Sequence, residues 1–192
     1  MSTPASLAAA GHQLVLELTR RYTEPHRRYH DIRHIAQMLA WGMEVGLDDA
    51  QVWAIWFHDA VYDPRRPDNE EQSAVLAERC LLASGHGQDL VNVVTQIVRD
   101  TRTHTPTVRE SGLVLDLDLG TLALPWDAFC NNTAAIRGEY AHVDDASFAT
   151  GRRRFMAGLL ERPRLFFTPW GEKREATARA NITRFLNDSG AD

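Results

Sequence analysis

The sequence predicts an all-α protein, and three observations carry that prediction. Apolar residues recur at three- and four-residue spacing in one segment after another, the period of a helix with one buried face. Helix-ending residues stand between those segments, among them Pro25, Gly46, Pro64, Pro67 and the turn Ser84-Gly85-His86-Gly87. One stretch, Leu113 to Gly120, alternates Leu with Asp as a strand would. It is read as a short buried helix, because its neighbours are helical and a strand would set two carboxylates on one face.

Taken in order, residues 6–22 read as a helix with Leu7, Val15, Leu18 and Tyr22 on or near one face, Ser6 as its cap and Thr23-Glu24-Pro25 as its end. A second helix carries His30 and His34 at i and i+4, on one face, and continues through Ile35, Met38, Leu39 and Met43 to about Glu44, with Gly46 as C-cap. Asp48 and Asp49 are N-cap candidates for a third helix, which ends near His58-Asp59. After a Pro-rich loop, Asn69 opens a helix to about Ala83, and residues 88–100 form another, with Leu90, Val93, Val94, Ile97 and Val98 apolar. Thr101 to Ser111 reads as loop. Helices are expected over 125–141, with Pro125 in the first turn, over 144–160 capped by Asp144 or Asp145, and over 172–187. No repeat, low-complexity run or linker interrupts them, so one domain spanning 1–192 is expected, with a C-terminal helical extension from about 125.

Composition narrows the function. The 192 residues are 44% hydrophobic and 24% charged, ordinary for a globular protein with a sizeable core. A net charge of −5 argues against a non-specific grip on nucleic acid or an anionic membrane, while leaving room for a local phosphate pocket. The two cysteines, Cys80 and Cys130, form no disulfide or Cys-x-x-Cys pattern, so a reducing, cytoplasmic setting is the expectation. Neither a signal peptide nor a membrane span is legible.

The chemistry centres on residues 52–63. This run is apolar up to Phe57, then sets His58 beside Asp59, with Asp63 one turn on. An imidazole and a carboxylate at the end of a core helix are costly to bury uncompensated. A divalent cation compensates both, because it binds neutral imidazole and ionised carboxylate together. A lone His-Asp pair is usually a loop feature, so the rest of the chain decides. It supplies His34 on one helix and an aspartate of Leu115-Asp116-Leu117-Asp118-Leu119 on another, giving the order H … HD … D. Two imidazoles and two carboxylates suit a mononuclear site with open positions. Arg27, Arg28, Arg33, Arg65 and Arg66 gather around the expected mouth, where forked hydrogen bonds could neutralise a phosphate, although most such arginines form a solvated face. Arg137, Arg152 and Arg179 are expected in structural ion pairs with Glu139, Glu161 or Glu175.

Tyr29-His30-Asp31-Ile32-Arg33-His34-Ile35, Phe57-His58-Asp59-Ala60-Val61-Tyr62-Asp63, Asn69-Glu70 with Ser73-Ala74, and the Leu-Asp-Leu-Asp-Leu segment together resemble the HD-domain metal-dependent phosphohydrolase superfamily. Within it the chain is similar to one bacterial group of predicted HD phosphohydrolases, and Ile136 to Tyr140, Gly151-Arg152 and Ala178 to Asn181 extend the likeness into the tail. The resemblance implies a helical bundle with the metal between central helices, bound by His34, His58, Asp59 and Asp118. Asp116 competes with Asp118; whichever is not a ligand would orient a ligand His. Tyr29-His30 with His34-Ile35 is also similar to the helix of cyclic-nucleotide phosphodiesterases, which implies that His30 protonates the leaving oxygen, a role an imidazole can fill. A likeness to guanosine tetraphosphate hydrolases implies that Asp63, or Glu70, places the attacking water; a helix-start role for these acids stays open. Binuclear relatives carry two further histidines, near whose positions Glu70 and His104 fall. One metal is favoured, with His104 and Arg27 contacting a substrate phosphate.

The expectation is therefore a metal-dependent phosphohydrolase, a phosphomonoesterase or phosphodiesterase. It would act on an ester or anhydride of a small nucleotide-like molecule and use Mn, Fe, Co, Ni, Zn or Mg. A homodimer is compatible with the sequence. The rivals are a di-iron oxygenase of the same superfamily and a non-catalytic, metal-stapled ligand-binding or sensor module.

Overall fold

The structure is a computed structural model that describes the backbone of residues 4–188 and the side chains of residues 11–188. Among these residues every regular element is helical and there is no strand. The chain divides into two compact units, 1–115 and 116–192, where the sequence suggests one domain with an extension from about 125.

In the first unit, α1 (Pro4–Tyr22) buries Leu14, Leu18 and Tyr22, an i, i+4, i+8 stripe. The side chains of Ser6 and Leu7 lie outside the described ones, and Ser6 falls inside the helix rather than at its cap. α2 (Ile32–Val45) starts one residue after its N-cap, Asp31, whose carboxylate accepts from Arg33 N at 2.8 Å. It stops at Gly46, whose φ of 84° lies in the left-handed region that glycine tolerates. α3 (Asp49–Phe57) has a full capping box: Gln51 N donates to Asp48 at 2.8 Å, and Asp48 N donates to the Gln51 side chain at 3.1 Å. α4 (Asn69–Ala83) and α5 (Gln88–Thr101) pack together, and α3 packs on both. Arg99 grips Glu71 across the α4–α5 pair with two bonds of 2.8 and 2.9 Å. The apolar core of α3 to α5 includes Ile55, Phe57, Leu81, Val94, Ile97 and Val98.

The polar stretch after α5 is fastened by a buried carboxylate. Asp100 accepts from Thr107 N at 2.8 Å, from Gln96 Nε2 at 2.9 Å and from the Ser111 hydroxyl at 2.6 Å. α6 (Ser111–Leu119) then covers the Leu-Asp alternation as a helix, and the division between the units falls within it.

The second unit begins with the end of that helix and a 3-10 turn, Gly120–Ala123. α7 (Trp126–Glu139), α8 (Asp145–Leu160), the single turn α9 (Pro169–Glu172) and α10 (Glu175–Asp188) follow. Leu119, Leu122, Phe129, Met156, Leu159, Leu165, Phe166, Ala178 and Ile182 form its core. Two tethers explain why residues 116–124 belong to this unit. Asn181 of α10 donates to the carbonyls of Leu122 and Leu124, both at 2.8 Å. Asp116 accepts from Phe167 N and Thr168 N, both at 2.8 Å, and from the Thr168 hydroxyl at 2.6 Å. Arg179 pairs with Glu175 at 2.6 Å as expected, and Arg137 pairs with Asp145 at 2.6 Å.

Candidate metal centre

Three donors come together in the first unit. His34 lies in the first turn of α2, His58 is the C-cap of α3, and Asp59 follows it. One ligand atom from each lies within 4.8 Å of the other two, the spacing that a shared ion requires. The His34 and His58 ring centroids are 5.4 Å apart, at 67°. His34 and His58 are buried, and the Asp59 side chain is 15% exposed, so the group opens toward solvent on its carboxylate side.

The backbone explains the geometry. α3 is apolar until Phe57, and His58 keeps helical dihedrals, with its N donating to the Ala54 carbonyl at 2.9 Å. His58 Nδ1 lies 2.8 Å from the Ile55 carbonyl. A carbonyl only accepts, so Nδ1 carries a hydrogen and the neutral ring offers its Nε2 lone pair outward. Nε2 lies 3.1 Å from Asp59 Oδ2. A lone pair facing a carboxylate oxygen at that distance calls for a positive charge between or on them: a second ring proton, or a cation bound by both. Donors on one cation with bonds of about 2.1 Å sit roughly 3.0–3.4 Å apart, which the observed spacing meets. A backbone carbonyl holding the other ring nitrogen is also how metal-binding histidines are oriented. The donor set therefore fits a divalent ion.

The turn that carries Asp59 is held from several sides. Asp59 N donates to the Tyr22 hydroxyl at 3.2 Å. Val61 N donates to Ser73 Oγ at 3.0 Å, tying the turn to α4. Asn69 Nδ2 donates to the Asp63 carbonyl at 2.8 Å, and its Oδ1 accepts from Asp63 N at 3.1 Å.

Arg27 corrects the reading from sequence. It was expected to contact a substrate phosphate, yet its side chain is fully buried and its guanidinium is engaged by the protein. It donates to Glu24 at 3.0 Å and to the carbonyls of His30, Asp59 and Ala60 at 2.9, 2.8 and 3.3 Å. It also lies over the rings of Tyr22 and Tyr62, at 5.0 and 5.5 Å. Of the other arginines around the expected mouth, Arg33 pairs with Asp31 at 2.7 Å and Arg66 with Asp68 at 2.9 Å, while Arg65 lies 4.0 Å from Asp63.

His30 precedes α2 instead of sharing a helical face with His34, because the cap at Asp31 starts the helix after it. The two rings are still neighbours, with centroids 6.3 Å apart, and His30 leans on the Tyr62 ring at 4.3 Å. Asp63 is 45% exposed and its Oδ1 accepts from Arg65 N at 2.9 Å, which makes it a turn cap. Glu70 stands in the first turn of α4. His104 occupies the turn after α5 with φ of 48°, an uncommon conformation for a side chain with a Cβ.

Asp116 and Asp118 belong to the second unit. Asp118 is half-buried. Asp116 is fully buried and accepts from Phe167 and Thr168 on both oxygens, so it secures that loop. Burial pushes its pKa from 3.8 up to about 6, against the pull of the Thr168 and Phe167 donors. No helix among the described residues is long and apolar enough to cross a membrane. No protein-family model, curated protein or solved structure matches the chain.

Proposed function

We propose that His34, His58 and Asp59 hold a divalent cation and that the protein hydrolyses a phosphate ester or anhydride of a small, nucleotide-like molecule. The convergence of three donor atoms within 4.8 Å is the observation that carries this reading. The reaction class rests on the resemblance of the surrounding motifs to HD-domain phosphohydrolases. A cation bound there supplies a Lewis acid for a phosphoryl oxygen and makes water more acidic.

The chain's own groups have distinct tasks. His58 is held in one tautomer by the Ile55 carbonyl, and Asp59 brings the negative charge that favours a cation over a neutral ligand. His30, braced on Tyr62 and next to His34, delivers a proton to the leaving oxygen. Asp63 or Glu70 orients the attacking water. Burial of the two imidazoles keeps bulk solvent from screening the charges they face.

The test is a phosphatase screen over nucleotides and cyclic nucleotides, metal by metal, with wild type and Asp59→Ala in parallel. The expected result is turnover that needs an added divalent ion and falls about a hundredfold or more in the variant. Equal activity in both proteins would remove the basis of the proposal. The other resolution of the His58–Asp59 contact is a metal-free ion pair, which predicts a fold indifferent to chelators and to added ions.

A further inference from the structure

We infer that Arg27 is a positioning residue for the candidate centre, holding the segment before α2 and the turn after α3 at the separation that lets His34, His58 and Asp59 share one ion. The inference rests on the reading of that triad as a cation site and adds the device that sets its dimensions.

Two chain segments must be held together for the triad to exist. One leads through His30 into His34; the other is His58-Asp59-Ala60. Arg27 bonds both at once, through the His30 carbonyl at 2.9 Å and the Asp59 and Ala60 carbonyls at 2.8 and 3.3 Å. The remaining contacts lock the guanidinium itself. Glu24 takes Nε at 3.0 Å, and the Tyr22 and Tyr62 rings lie on either hand at 5.0 and 5.5 Å. Tyr22 also accepts from Asp59 N, and His26 Nε2 lies 2.9 Å from the Tyr62 carbonyl, so the same two segments are fastened at neighbouring points.

The chemistry of the side chain matters here. A guanidinium presents a rigid fork of five donors and can span acceptors on separate segments. An ammonium is a point charge on a flexible stem and cannot reach all of these oxygens at once. A fully buried cation whose main partners are backbone carbonyls is costly to desolvate, which makes little sense for a group whose only task is to add stability. The guanidinium charge beside the Asp59 backbone, together with the fixed turn, presets the donor atoms before any ion arrives.

The experiment is a titration of Co²⁺ or Mn²⁺ into wild type, Arg27→Met, Arg27→Lys and, as a control, Arg99→Met, which breaks the α4–α5 ion pair with Glu71. Circular dichroism first establishes that each protein is folded. Arg27→Met is expected to bind the ion about 10–100-fold more weakly, the usual effect of losing a partner that orients ligands. Arg27→Lys should fall between Arg27→Met and wild type, and Arg99→Met should bind as wild type does despite its own loss of stability. Wild-type affinity in folded Arg27→Met would overturn the inference while leaving the cation site standing. Should Arg27→Met fail to fold, Arg27→Lys decides: weaker binding supports the inference, and wild-type affinity overturns it. A wild type that takes up no ion overturns both readings.

Discussion

Asp116→Asn should change how the protein's stability depends on pH, and the size of the change follows from the site. The Asp116 carboxylate is fully buried and accepts from Phe167 N, Thr168 N and the Thr168 hydroxyl. Burial still prevails, and the pKa stands at about 6 against 3.8 for the free side chain. Between pH ~4 and ~6 the folded protein therefore keeps a proton that the unfolded chain has lost. Stability falls as pH rises through that window and is level above it. A shift of about 2 units at about 1.4 kcal/mol each gives a loss of about 3 kcal/mol from this one group. Asparagine keeps the shape and cannot titrate, and every other group is common to both proteins and cancels in the difference. Urea unfolding at pH values from 4 to 7.5, followed by tryptophan fluorescence, measures that difference. The stability of wild type minus that of the variant should fall by about 2 kcal/mol between pH 4 and 6, the part of the full loss that lies inside that window, and should flatten above pH ~7. A difference that is constant across the range, or that grows with pH, would refute the assignment of a buried, desolvated carboxylate.

Three further substitutions test the packing. Gly171→Ala places a Cβ against the Asp116 carboxylate and Phe166 Cβ and should cost about 1–3 kcal/mol in urea unfolding. Gly158→Ala, in open space within α8, should be neutral or stabilise by up to about 1 kcal/mol. Asp100→Ala strands Thr107 N and the buried Ser111 hydroxyl, and should cost about 2–4 kcal/mol. It should also speed trypsin cleavage after the exposed Arg102 and Arg109, since the segment they occupy would lose its main tie; cleavage at the wild-type rate would contradict that role.

The helices were legible because apolar spacing and caps are local signals. Asp48, one of two cap candidates in the sequence, caps α3, and the cap at Gly46 could be read from the residue alone. The grouping of His34, His58 and Asp59 was legible because few residue types bind metals and a His-Asp pair closing an apolar helix needs compensation. The rest depended on contacts that sequence does not announce. The Asp31 cap that leaves His30 outside α2 competes with an equally good helical spacing of His30 and His34. Arg27 and Arg28 are adjacent and chemically identical, yet one is buried as a clamp and the other is exposed. The partners of Asp116 lie 51 and 52 residues downstream, so its task as an anchor for Phe167 and Thr168 was invisible beside a plausible role as a ligand. The same tether, with that of Asn181, draws residues 116–124 into the second unit.

The central claim is that His34, His58 and Asp59 bind one cation together. Equilibrium dialysis of purified, chelator-stripped protein against Mn²⁺, Co²⁺ and Zn²⁺, with metal counted per chain, tests it directly. The account predicts saturable uptake of at least one ion per wild-type chain, with affinity reduced about a hundredfold or more in Asp59→Asn and in His34→Gln. Uptake that is absent in wild type, or undiminished in both variants, would contradict it.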